Sequence, residues 1–113
     1  MIYPEIPSTF ETKLTTLSPQ IRERMAVYGS YLLLTEVESR LALAKEKLAF
    51  FQKKYNISLT NLNEKGLPED ADWKMHEDYV EWSGWQVSYD EARETLDALR
   101  GIVDTANVIP LAR

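Results

Sequence analysis

The chain has 113 residues, 44% of them hydrophobic, with 13 Lys and Arg against 18 Asp and Glu, one His and no Cys. That length fits one domain, and Leu, Ile, Val and Phe make up about a quarter of it, above the level at which a chain stays disordered. Disulfides, thiolate zinc sites, cysteine nucleophiles and any His-rich metal site within one subunit are excluded, no apolar run approaches the roughly 20 residues that cross a bilayer, and MIYPEIPST lacks the basic and apolar regions of a secretion signal, so a cytoplasmic protein with no membrane contact is expected.

Residues 1–17 contain two prolines and five Ser or Thr, with apolar side chains scattered without a helical period. An extended N-terminal arm is expected there, with Ile2, Tyr3, Ile6 and Phe10 as exposed anchors that order on a partner. At Ser18-Pro19 the pattern changes, because Ser at the N-cap and Pro at the first helical position satisfy one orphan amide and remove another. No further proline occurs before Tyr55, and Val27, Leu34, Val37, Leu41, Ala44, Leu48, Phe51 and Tyr55 mark one apolar seam, stepping by threes and fours from Leu34 onward. A helix over 19–55 is expected to stop at Asn56, a residue that tolerates the left-handed cap conformation.

Residues 56–71 read as a connection with a helical turn after Ser58. A second helix over 72–100 is expected to start with Asp70 or Asp72 as its cap and to end at Gly101 as a candidate cap, or to be extended by Ile102 and Val103. Its seam is Met75, Tyr79, Trp82, Gln86, Tyr89, Ala92, Leu96, Leu99 and Val103, and Val80, Trp85 and Val87 widen the apolar arc. Residues 104–113 read as an irregular tail. The fold expected is therefore all-α, a long antiparallel two-helix hairpin over 18–103 with coiled-coil-like seams. Ile21, Met25, Tyr28, Leu32 and Leu33 would remain outside the seam, so self-association of the hairpin into a helical bundle is expected.

The net charge of −5 lies in one segment: Glu64, Glu69, Asp70, Asp72, Glu77, Asp78 and Glu81 stand there against Lys65 and Lys74, and the rest of the chain balances 11 acids with 11 bases. Acids at the start of a helix also stabilise its dipole, which accounts for Glu69, Asp70 and Asp72 but not for Glu77, Asp78 and Glu81. The segment is expected to attract a basic protein and to repel phosphate backbones. Five large aromatics between Trp73 and Tyr89 have only Lys74 among them, so a platform for single-stranded nucleic acid is not expected. Glu69, Asp72 and His76 sit one turn apart and suggest a remote metal-dependent hydrolase, but no Glu-x-x-His pair, nucleophile elbow or phosphate loop accompanies them. A non-catalytic protein without metal or cofactor is the expectation. A glycine inside a good helix costs about 1 kcal/mol against Ala, which suggests close helix approach or a kink, and Gly84 is expected to lie close to Ala44 across the hairpin because both stand at about the same distance in sequence from a turn centred near Leu62 to Glu64.

The segment FFQKKYNISLTNLNEKG, followed by an acidic break, HEDYVEWSGWQ and a Leu-rich helix, resembles small prokaryotic helical proteins encoded beside toxin genes. The residues that carry the resemblance are Lys54, Tyr55, Asn56, Ile57 and Ser58, then Asp78, Tyr79 and Trp82. It implies a non-catalytic, antitoxin-like partner protein, of the kind paired with TumE-type toxins, and spans roughly residues 50–99. Together these readings give a protein-binding module with Glu69, Asp70, Asp72, Glu77, Asp78, Glu81, Tyr3 and Phe10 as contact residues. A structural or chaperone-like coiled-coil subunit is the alternative.

Overall fold

The computed structural model describes the backbone of residues 5–108 and the side chains of residues 9–106. Among the described residues the protein is all-α, with four helices and no strand: α1 (Glu5–Thr15), α2 (Pro19–Tyr55), α3 (Leu59–Lys65) and α4 (Trp73–Val108). Two compact units divide them, one formed by residues up to Leu34 together with those from Leu99 onward, the other by Thr35–Ala98.

The N-terminal segment is helical where an extended arm was expected. Pro7 falls in the first turn of α1, where its missing N–H has no intrahelical partner to lose. Phe10 and Leu14 lie four residues apart and so share the side of α1 that lines one apolar groove with residues of α2 and α4. One short amphipathic stretch leaves no repeat to read, and tertiary packing outweighs the weak propensity of its Thr and Ser. A tight turn follows, with Thr16 and Leu17 donating to the Lys13 and Leu14 carbonyls. The Arg22 guanidinium donates to the Thr15 and Leu17 carbonyls at 3.2 Å, so a residue of α2 caps the end of α1. Ser18 caps α2 as expected: its Oγ accepts from the Ile21 N–H. Tyr3 and Ile2 lie outside the described residues, as does the Ile6 side chain.

In the first unit Val27, Ser30, Leu99, Val103 and Ala106 are buried. With Val103 and Ala106 buried, α4 runs straight through Gly101 to Val108, so the extension over Ile102 and Val103 is found and exceeded, while neither the Gly101 cap nor an irregular segment over 104–108 is; residues 109–113 lie outside the described ones. Apolar packing over those last two turns offsets the propensity cost of one glycine.

In the second unit the expected seams meet. Val37, Ala44 and Phe51 of α2 are buried, as are Trp82, Ala92 and Leu96 of α4. Trp82 stacks on Phe51 at 5.7 Å and on Tyr55 at 6.0 Å between ring centroids. Leu59 and Leu62 of α3 complete this cluster, with Ile57, Leu67, Met75 and Tyr79 packed around it. Asn56 is left-handed (φ 54°) and ends α2. Ser58 then caps α3 by accepting from the Asn61 N–H, and Gly66 (φ 78°) donates back to the Leu62 carbonyl. The expected single turn is thus a seven-residue helix, fixed by two caps and two buried leucines.

Gly84 does not approach Ala44. It is exposed, and a Cβ placed on it meets no atom within 4 Å. Gly84→Ala is therefore expected to stabilise the fold by about 0.5–1 kcal/mol, since it removes backbone entropy from the unfolded chain without a clash. Thermal unfolding checks this, and a lowered Tm would show that the position needs glycine for packing.

Candidate functional site

The acidic segment opens α4, and the cap geometry fixes where its side chains go. Asp72 Oδ1 accepts from the Met75 N–H at 2.9 Å, which makes Asp72 the N-cap and sets the rotational register of the helix behind it. From that register Met75, Asp78, Tyr79 and Trp82 fall on the inward side, and Trp73, Glu77, Val80 and Val87 on the outward side.

Asp78 is the correction to the expected contact set. It is 3% exposed, so it cannot meet a partner from outside. Its Oδ2 accepts from Lys54 Nζ and from the Tyr55 hydroxyl, each at 2.6 Å, and Lys74 Nζ lies 3.5 Å from Oδ1. The spacing was legible: Asp78 stands three residues after Met75 and four before Trp82, both seam positions. Lys54 and Tyr55, absent from the expected site, end α2 where a seam acid on α4 would need a donor. The Lys54 and Tyr55 donors hold the Asp78 carboxyl at about 2, below its ordinary 3.8, against the opposing effect of burial. Asp78 in turn holds the Lys54 ammonium above its usual range. Burial, reinforced by the Asp78 carboxylate, raises the Tyr55 phenol.

The remaining acids point outward. Glu69, Asp70, Asp72, Glu77 and Glu81 are all exposed. Glu81 accepts from the Trp85 indole N–H at 3.2 Å, and Lys74 sits 3.9 Å from Glu77. Between and beside them Trp73 and Val80 are each 70% exposed, and Val87 follows seven residues later on the same outward side. Trp73, His76, Glu77 and Val80 border an open depression of about 520 Å³. Among the described residues no three acids, His or Cys form a group able to hold a metal ion, so Glu69, Asp72 and His76 are not brought together as the hydrolase reading required. Phe10, the other expected contact, is 62% exposed on α1 rather than on an extended arm. No described helix is long and apolar enough to cross a membrane.

No protein family, curated protein or solved structure matches the chain.

The Lys54–Tyr55–Asp78 group gives the stability a defined pH window. Asp78 has a lower pKa folded than unfolded, so its contribution is complete above the ordinary 3.8 and is lost as pH falls toward 2. Lys54 and Tyr55 have raised values, so theirs is complete below about 10 and is lost as pH rises beyond it. Asp78→Ala is expected to cost about 1–3 kcal/mol at neutral pH by leaving two donors without their acceptor, and to flatten the acid limb between about pH 4 and 2. Denaturant unfolding across pH measures both; an acid limb unchanged in the variant would assign it to other carboxylates.

Proposed function

We propose that this protein is a non-catalytic protein-binding module, antitoxin-like in role, that takes a basic partner on the outward side of the first turns of α4. The observation that carries this reading is the pairing of an acidic rim with exposed apolar side chains on one helix side: Glu69, Asp70, Asp72, Glu77 and Glu81 around Trp73 and Val80. Two chemistries then act together. Exposed acids steer a cationic surface into place and set specificity, while a tryptophan and valines supply area to desolvate. The inward Asp78 works differently, anchoring the segment so that the outward residues are presented by a rigid helix.

In the same reading α2 and α4 act as a hairpin whose copies self-associate in the cytoplasm. The basic partner is the polypeptide encoded beside this one. Co-expression of the two is expected to yield one stoichiometric complex whose affinity falls at least about tenfold between 0.1 and 1 M salt, as exposed charges become screened. Glu77→Lys with Glu81→Lys should abolish capture, and Val80→Asp should weaken it, with helicity unchanged in each. Binding that is indifferent to salt and to the charge reversal would overturn the reading. Weak capture of many unfolded chains instead would favour a chaperone-like subunit.

A further inference from the structure

A second exposed apolar surface, apart from the acidic segment, lies on the first third of α2. Ile21, Met25, Tyr28 and Leu32 are separated by four, three and four residues, so they form one stripe along the helix. All four are exposed, Leu32 to 79%. The stripe is the reverse of the Val27, Ser30 and Leu34 side, which is buried or half-buried within the unit, so the described residues leave much of it in solvent. Its spacing is that of the apolar positions in a coiled-coil seam. Beyond Leu32 the continuation is Thr35, Glu36 and Ser39, so the seam is confined to three turns.

Beside it, through Met25, opens a groove of about 570 Å³ lined by Phe10, Leu14, Leu33, Leu99 and Ile102. Gly29 lies on this border, and a Cβ there would meet no atom within 4 Å. That leaves room for another helix backbone to come close.

We propose that a second copy of this chain covers this surface, pairing stripe to stripe about a two-fold axis. Two observations select a second copy. The first is area. Taking about 200 Å² for a large side chain, the upper side for Ile, Leu and Met, complete burial of the exposed fractions of the four stripe residues and of Phe10 and Leu33 in the adjoining groove would remove at most roughly 650 Å² per copy, or about 1,300 Å² over two, at the lower end of the range of about 1,200–2,000 Å² that specific interfaces bury.

The second observation is charge. Residues 1–34 carry Glu5, Glu11 and Glu23 against Lys13, Arg22 and Arg24 and are neutral, in a chain whose excess of acid lies at residues 64–81. Any basic protein would be drawn to that acidic segment rather than to the stripe. The neutral stripe neither attracts it nor repels an identical copy. A two-fold axis also closes the assembly, since each stripe is both donor and receiver of the contact. This interface supplies the contact that the self-association in the proposed function needs, and it does not depend on whether a basic partner exists.

Sedimentation equilibrium of the full chain at 1–100 μM tests it. The expected mass is that of two 13.1 kDa chains, falling to one in Leu32→Glu and in Met25→Glu with helical circular dichroism preserved. Because a charge could disturb folding, Tyr28→Ser with Leu32→Ser provides a milder variant, expected to raise the dissociation constant at least about tenfold (1.4 kcal/mol). Val80→Glu, on α4, should leave the mass at two chains. A wild-type monomer throughout that range, or a dimer unaffected by the Leu32 and Met25 variants, overturns the proposal. Dimerisation without capture of a basic partner would leave this interface standing and remove the partner reading alone.

Discussion

The buried carboxylate of Asp78 is the constraint around which the second unit is arranged. A charge 3% exposed is tolerated only where donors replace water, and here Lys54 and Tyr55 supply two at 2.6 Å. Those donors occupy adjacent positions at the end of α2, so the pairing locks α4 against α2 in both height and rotation. Rings follow from that lock. Tyr55 gives its hydroxyl to Asp78 and its face to Trp82, so one side chain joins the polar anchor to the aromatic stack. Slipping α4 by one residue would strand the carboxylate in apolar surroundings, a larger penalty than a sliding Leu-on-Leu seam exacts.

Fixing the inward side also fixes what faces outward. With Asp78 and Trp82 inside, the 3.6-residue period places Trp73, Glu77 and Val80 in solvent. The acidic rim and the exposed tryptophan are consequences of the same register that buries the ion pair. In the first unit, α2 turns Val27 and Ser30 inward and leaves the Ile21–Leu32 stripe outside. The two exposed surfaces differ in chemistry, one acidic with scattered large apolar groups, the other neutral and continuously apolar, and they therefore suit different occupants.

Much of the fold was legible because helical periodicity and caps are local. Pro19 to Tyr55 emerged with the expected bounds, and Ser18, Asn56, Ser58 and Asp72 each perform the capping role their side chains suit. Both seams point inward as the threes and fours required. The misreadings are of another kind. α1 carries too short a pattern to distinguish from a loop, and Gly101 has the composition of a helix end yet sits within one, because neighbours distant in sequence bury Val103 and Ala106. Gly84 has open space beside it rather than Ala44, since equal sequence distance from a turn sets the height of a residue along a hairpin but not the side of the helix it occupies.

The site shows the same division. That the acids cluster, that they lie at a helix start, and that aromatics interleave with them is written in the chain, because charge and spacing are properties of the sequence. Sequence spacing also put Asp78 in line with Met75 and Trp82. Only tertiary structure decided that this one acid turns inward onto Lys54 and Tyr55 while its neighbours stay in water, because that outcome depends on which donors another helix brings to the same place. Period, caps and net charge are thus set by residues a few positions apart; burial, pairing and the helical state of α1 are set by contacts between residues far apart in the chain, whose free energy no local pattern contains.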